Sequence, residues 1–210
     1  MKIIDMHTHV YPDAIAAKAA RSIRNYYHLG ENMDGTIRTL LERGGAAGVE
    51  HWLILPVAVK PEHVQSINNF TAQQVLDHSC FSGFGTVHAE MDNMMEEVER
   101  IRTLGLKGIK LHPDCQHFNI DDPRLFRLYE IMEGRIPLYL HMGDDRPQYR
   151  FSEPKKLAHV PRCFPRLEAV AAHLGGYKAA DEAIEFLAGN DRVWYDTSSA
   201  LWYLTPERAG

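Results

Sequence analysis

His7 and His9, one residue apart at the end of an apolar run, are the residues of this sequence best placed to do chemistry. The run reads Lys2-Ile3-Ile4-Asp5-Met6-His7-Thr8-His9. Side chains two apart on a strand leave the same face, so both imidazoles point one way from one strand end. Neutral imidazole is the commonest metal-ligand side chain. Burying two polar rings in an apolar strand is costly without partners, and a cation supplies one. One such pair could equally be a surface pair or a hydrogen-bonded core pair. Repetition decides against that. Lys110 and His112 close Gly108-Ile109-Lys110-Leu111-His112-Pro113. His141 closes Pro137-Leu138-Tyr139-Leu140-His141. His173 closes Ala169-Val170-Ala171-Ala172-His173, Asp196 closes Val193-Trp194-Tyr195-Asp196, and His88 follows Thr86-Val87. Polar groups at so many strand ends point to one shared metal or acid–base site.

The elements that must position them alternate along the chain. Strand-like runs fall at residues 3–6, 52–59, 81–87, 106–111, 136–140, 167–172 and 193–195. Helical stretches lie between them. Asp34 precedes one over 36–41, and Pro61 opens one to about residue 78. Asp92 precedes one that Gly105 closes, and Asp121-Asp122-Pro123 opens one that Gly134 ends. Gly175-Gly176 leads into one ending at Gly189-Asn190. This order argues for a parallel sheet wrapped by helices. In a closed parallel barrel the C-terminal strand ends meet at one mouth. Residues 11–33 read as an insertion loop after the first strand, near the site.

Composition narrows the function. The chain has 210 residues, enough for one domain spanning 1–210, and 45% of them are apolar. A net charge of -5 gives no electrostatic reason to expect nucleic acid or a membrane surface. Three widely spaced cysteines suggest no disulfide framework, so a reducing cytoplasm is expected. Neither a signal peptide nor a bilayer-spanning run is evident. The expected partner is a small-molecule substrate.

The motifs Asp5-Met6-His7-Thr8-His9, Gly108-Ile109-Lys110-Leu111-His112-Pro113, Leu140-His141-Met142-Gly143, Ala172-His173-Leu174-Gly175-Gly176 and Tyr195-Asp196-Thr197-Ser198 occur in this order. In this they resemble the amidohydrolase superfamily, specifically its branch of metal-dependent hydrolases and decarboxylases. The resemblance implies an α/β fold, a (β/α)8 TIM barrel of the metal-dependent hydrolase type, with seven strands present in this chain. It implies that His7, His9 and His141 hold one divalent metal, Zn2+ first and Mn2+ second. It implies that His173 holds or activates the attacking water. The family's aspartate at the end of strand eight is not found before Gly210, where residues 204–208 read as a helix start. The domain is therefore expected to be incomplete at its C-terminus. Unpaired edges would invite pairing with a second copy, a homodimer.

The candidate catalytic groups are His173, Lys110 and His112. Lys110 invites comparison with the carboxylated lysine of binuclear amidohydrolases. The expectation is an unmodified inward lysine that pairs with a substrate anion or a site carboxylate. Arg146, Arg150 and Asp196 are candidate substrate-binding groups. Tyr26 and Tyr27 line the mouth or pack in the core. The resulting expectation is a metal-dependent hydrolase acting on a small carboxylate, lactone, amide or ester. Alternatives are a non-oxidative decarboxylase of an aromatic or unsaturated acid, a PHP-type phosphoesterase with a seven-stranded barrel, and an inactive barrel fragment.

Overall fold

The computed structural model describes residues 2–30 and 33–204. The helix start read over residues 204–208 lies, from residue 205 onward, outside the described residues. Seven parallel strands form the scaffold: β1 (Ile3–Thr8), β2 (Val49–Ile54), β3 (Phe81–Gly83), β4 (Ile109–Leu111), β5 (Leu138–Leu140), β6 (Ala169–Ala171) and β7 (Val193–Tyr195). They pair in chain order, β1-β2-β3 and β4-β5-β6-β7, and a bridge from Gly85 to Ile109 joins the two groups. A Cβ on Gly85 would lie 2.7 Å from Ile101, and one on Gly108 would lie 2.4 Å from the Phe84 ring. Only glycine lets the chains come this close. Among the described residues no ladder joins β7 back to β1.

Among the described residues, eight helices connect the strands: α1 (Asp13–Tyr27), α2 (Ile37–Ala46), α3 (Val64–Asp77), α4 (Met94–Thr103), α5 (Pro113–Gln116), α6 (Phe126–Met132), α7 (Pro154–Cys163) and α8 (Ala180–Leu187). Several differ from the sequence reading. Much of the insertion read as a loop is α1, a 15-residue helix that buries Ala16 and Ala20. Helix α7 was not expected, because Pro161 sits inside it. Pro161 has no N–H to donate to the Leu157 carbonyl, so the helix loses that ladder bond and ends two residues later at Cys163. Helix α2 also runs past its expected end through two glycines. Gly44 stays helical and lets the Trp52 ring lie where its Cβ would be.

The main core packs α4, α6 and α7 on the outer faces of β4, β5 and β6, around Ile109, Leu111, Leu138, Leu140, Ala169 and Ala171. A smaller cluster of Leu53, Leu55, Phe84, Tyr139 and Ala172 fills the inside of the strand array. The site sits above this inner cluster.

Candidate metal centre

Ladder hydrogen bonds carried one residue past the strands fix the site residues. Leu55 N–H donates to Thr8 O at 2.9 Å, His141 N–H to Leu111 O at 3.1 Å, and Ala172 N–H to Leu140 O at 3.0 Å. The side chains of His7, His9, Lys110, His112, His141, His173 and Asp196 all gather at this end. The His7 and His173 rings stack 5.1 Å apart, and those of His112 and His141 stack 3.9 Å apart.

His7 and His9 are brought together. Their Nε2 atoms are 3.2 Å apart. His7 Nδ1 donates to Asp196 Oδ2 at 2.7 Å and His9 Nδ1 donates to the Leu55 carbonyl at 2.6 Å. Each ring has spent its proton on an acceptor, so both Nε2 lone pairs face each other. Two lone pairs cannot hydrogen-bond. Two nitrogens each ~2.0–2.1 Å from one tetrahedral ion would stand about 3.3 Å apart. The pair therefore fits a divalent cation. The carboxylate behind His7 is the outer partner that a ligating imidazole usually has.

His141 and His173 form a second contact. His173 Nδ1 donates to Ser198 O at 2.7 Å, which leaves Nε2 to accept from His141 Nδ1 at 3.0 Å. The line of partners continues. Tyr27 Oη lies 3.4 Å from His141 Nε2 and 2.8 Å from His112 Nε2, and His112 Nδ1 accepts from Cys115 N–H at 3.3 Å. One consistent set of tautomers satisfies the whole line. The possible ligand atoms of His7, His173 and Asp196 lie within 4.8 Å of one another, as do those of His112, Asp114 and His141. His141 thus faces His173 and Tyr27, with His7 and His9 paired beside them.

Burial sets the charge states. It holds His7, His112 and His141 well below the ordinary imidazole range, with the nearby Lys110 charge adding to each. His173 is pushed down to about 4, again by burial first. His9 shifts the same way, but its residue surface is largely open to solvent, which tempers the effect. Neutral imidazole is the form that binds metal. Asp196 is held well below the usual carboxylate range by donors from His7, Ser198 and Tyr139, which outweigh its burial. The His7–Asp196 contact is therefore a charge-assisted hydrogen bond between a neutral ring and a carboxylate.

Three groups expected to contact substrate have protein partners in this structure. Asp196 has no oxygen to spare. Oδ1 accepts from His173 N, Ser198 N and Ser198 Oγ, and Oδ2 accepts from His7 and Tyr139. Arg146 is clamped bidentately on buried Asp144 and lies between the Tyr26 and Tyr149 rings, 4.4 and 4.3 Å from their centroids. Arg150 pairs with Glu153 and Glu182. Each guanidinium is spent on the protein.

The sequence reading missed two contributors and left a third undecided. Tyr139 lies two residues before His141 on β5, so strand alternation alone would have put it on the same face. Asp114, fully buried and bonded to Ser152 Oγ and Phe151 N, carried no such signal. Tyr27 was left between mouth and core. Its hydroxyl reaches the histidines because α1 folds back across the strand ends and Arg146 Nη1 holds Tyr26 O at 2.6 Å.

A family model described as Amidohydrolase matches residues 4–209. The chain belongs to this amidohydrolase family. No curated protein sequence matches it. Among solved structures, it is similar to a probable 2-pyrone-4,6-dicarboxylic acid hydrolase from Acinetobacter baumannii with citric acid bound. The TM-score is 0.60 and the identity 16%, covering 99% of this chain and 74% of that one. It is also similar to a 2,6-dihydroxybenzoate decarboxylase complexed with 2,6-dihydroxybenzoate, with a TM-score of 0.59 and 15% identity over 95% of this chain and 88% of that one. At these identities the likeness shows the shared amidohydrolase barrel fold. Among the described residues no helix is long and apolar enough to cross a membrane.

Proposed function

We propose that this amidohydrolase is a metal-dependent hydrolase of a small carboxylate, lactone, amide or ester. The carrying observation is the facing pair of His7 and His9 Nε2 lone pairs, each ring's other nitrogen being hydrogen-bonded. His7 and His9 would hold one divalent ion, Zn2+ first, with His141 and His173 as the imidazoles that complete or flank its sphere. When bound, such an ion lowers the pKa of water towards ~7 and polarises the scissile group.

The chain's own residues do the rest. Asp196 fixes the tautomer and orientation of His7, and also anchors the backbone of His173. His173 is neutral, and its Nε2 stands in the site as the acceptor of His141 Nδ1, so it takes a proton from the attacking water at that atom when that hydrogen bond opens. The line through His141, Tyr27 and His112 offers a path along which a proton can shift between rings and hydroxyl.

A decarboxylase reading is supported by the likeness to the dihydroxybenzoate enzyme, whose TM-score is nearly that of the hydrolase. One experiment addresses both. The protein is loaded with Zn2+ or Mn2+ and its metal content measured. It is then offered 2-pyrone-4,6-dicarboxylate with ring opening followed, and 2,6-dihydroxybenzoate with carbon dioxide release followed. Metal-dependent ring opening supports the first reading, and carbon dioxide release alone replaces it with the second. A protein that takes up no metal at His7 and His9 defeats both.

A further inference from the structure

Lys110 is the inward residue of β4, two positions before His112 and on the same face. Its side chain is fully buried, and Nζ lies 4.7 Å from the centroid of the Tyr139 ring on the neighbouring strand. Among the described residues, Nζ is the only nitrogen of a cationic side chain that is buried without a hydrogen-bond partner. A lysine nitrogen with its donors unmet in the interior is costly, and burial pulls Lys110 down to about 7, so the charge is held weakly until an anion arrives to stabilise it.

The sequence left two partners open for it, a site carboxylate or a substrate anion. The structure removes the first. Asp196 is the carboxylate whose field acts on Lys110, and its oxygens are already filled by His7, His173, Ser198 and Tyr139. Asp114 is committed to Phe151 N and Ser152 Oγ. The surrounding rings are neutral histidines, and Tyr139 Oη is turned away to Asp196 and Met6 O. A long flexible stem can lift Nζ towards the strand end without moving the backbone.

We propose that Lys110 is the anion anchor of the site and that the substrate carries a carboxylate, which Lys110 receives beneath the metal centre. The carboxylate enters as a fourth kind of group beside rings, hydroxyl and backbone, and it supplies both the missing acceptors and the missing charge. This rests on the hydrolase reading for the location of the reacting group, but not for the anion contact itself.

The test uses the metal-loaded protein and two matched pairs of probes, acetate with acetamide and benzoate with benzamide. Binding is measured by calorimetry on the wild type and on Lys110→Met, with metal content determined for both. The wild type is expected to prefer each carboxylate by at least about tenfold, the range of a hydrogen bond to a charged group. Lys110→Met is expected to lose that preference while keeping its metal. Its Tm is expected not to fall, because a buried amine without a hydrogen-bond partner has been replaced by an apolar chain of similar length. A carboxylate preference that survives in Lys110→Met overturns the proposal. So does a wild type that binds acid and amide equally, a result that needs no variant to fold. A carbamate on Lys110, seen as a carbon-13 signal after incubation with labelled bicarbonate, also overturns it. A wild type that holds no metal yet prefers carboxylates would defeat the hydrolase reading and leave the anchor standing.

Discussion

The two sides of the strand array are built differently. On β4, β5 and β6 nearly every residue is buried on both faces, as parallel strands under helices usually are. On β1 and β7 large apolar residues are open: Ile4 is 56% exposed, Met6 49% and Trp194 60%. The candidate site groups are divided between these sides. Lys110, His112, His141 and His173 rise from the packed side, whereas His7, His9 and Asp196 rise from the open one. Between β1 and β7 side chains make the join. His7 bonds to Asp196, and Tyr139 donates to Asp196 and to Met6 O. The facing His7–His9 pair is thus placed by polar contacts, while the hydrogen-bonded line from His173 to His112 stands on the packed core.

The sharpest way to break this division is to remove one imidazole from each side. His173→Asn is expected to lower turnover about 10²–10⁴-fold with metal content unchanged. His7→Asn is expected to lose the metal itself, read by elemental analysis. Equal metal loss in both would show that the four histidines act as one undivided ligand set.

Next in size is packing. Leu140→Ala on β5 should cost about 2–5 kcal/mol in urea unfolding, the usual range for a fully buried leucine. Asp196→Ala comes after it. It strands the His7 and Tyr139 donors at a cost of about 1–3 kcal/mol, and it should weaken metal binding about 10–100-fold. If metal affinity holds while stability falls, Asp196 only ties β7 to β1.

Acid should act through His173. Its folded pKa lies near 4, below the ordinary value of 6.5, so the unfolded chain takes up the proton first. The stability this neutral ring confers is complete above pH 6.5 and is lost as pH falls from there towards 4. Asp196, depressed in the folded state, adds a further loss at lower pH. In metal-free protein the stability–pH slope between 6.5 and 4 should flatten in His173→Asn. An unchanged slope would move the effect to other groups.

The smallest effect belongs to the open face. Ile4→Thr should change stability by no more than ~0.5 kcal/mol. A core-sized cost there would mean that β1 is covered in solution, by a second copy or by other chain.

The sequence carried the periodic part of this protein. Alternation put His7 with His9 and Lys110 with His112, and the strand–helix order placed all their ends together, because both follow from local geometry that each residue enforces on its neighbours. It could not show that α1 returns across the mouth, since that path is set by Ala16 and Ala20 packing and by the Arg146 clasp on Tyr26, contacts between residues 120 apart. Nor could it decide what Asp196 and Lys110 do. Both read as strand-end polar groups facing one site. Tertiary packing alone surrounded the carboxylate with five donors and left the ammonium with none, because hydrogen-bond satisfaction depends on which distant groups arrive within 3 Å, and no local pattern encodes that.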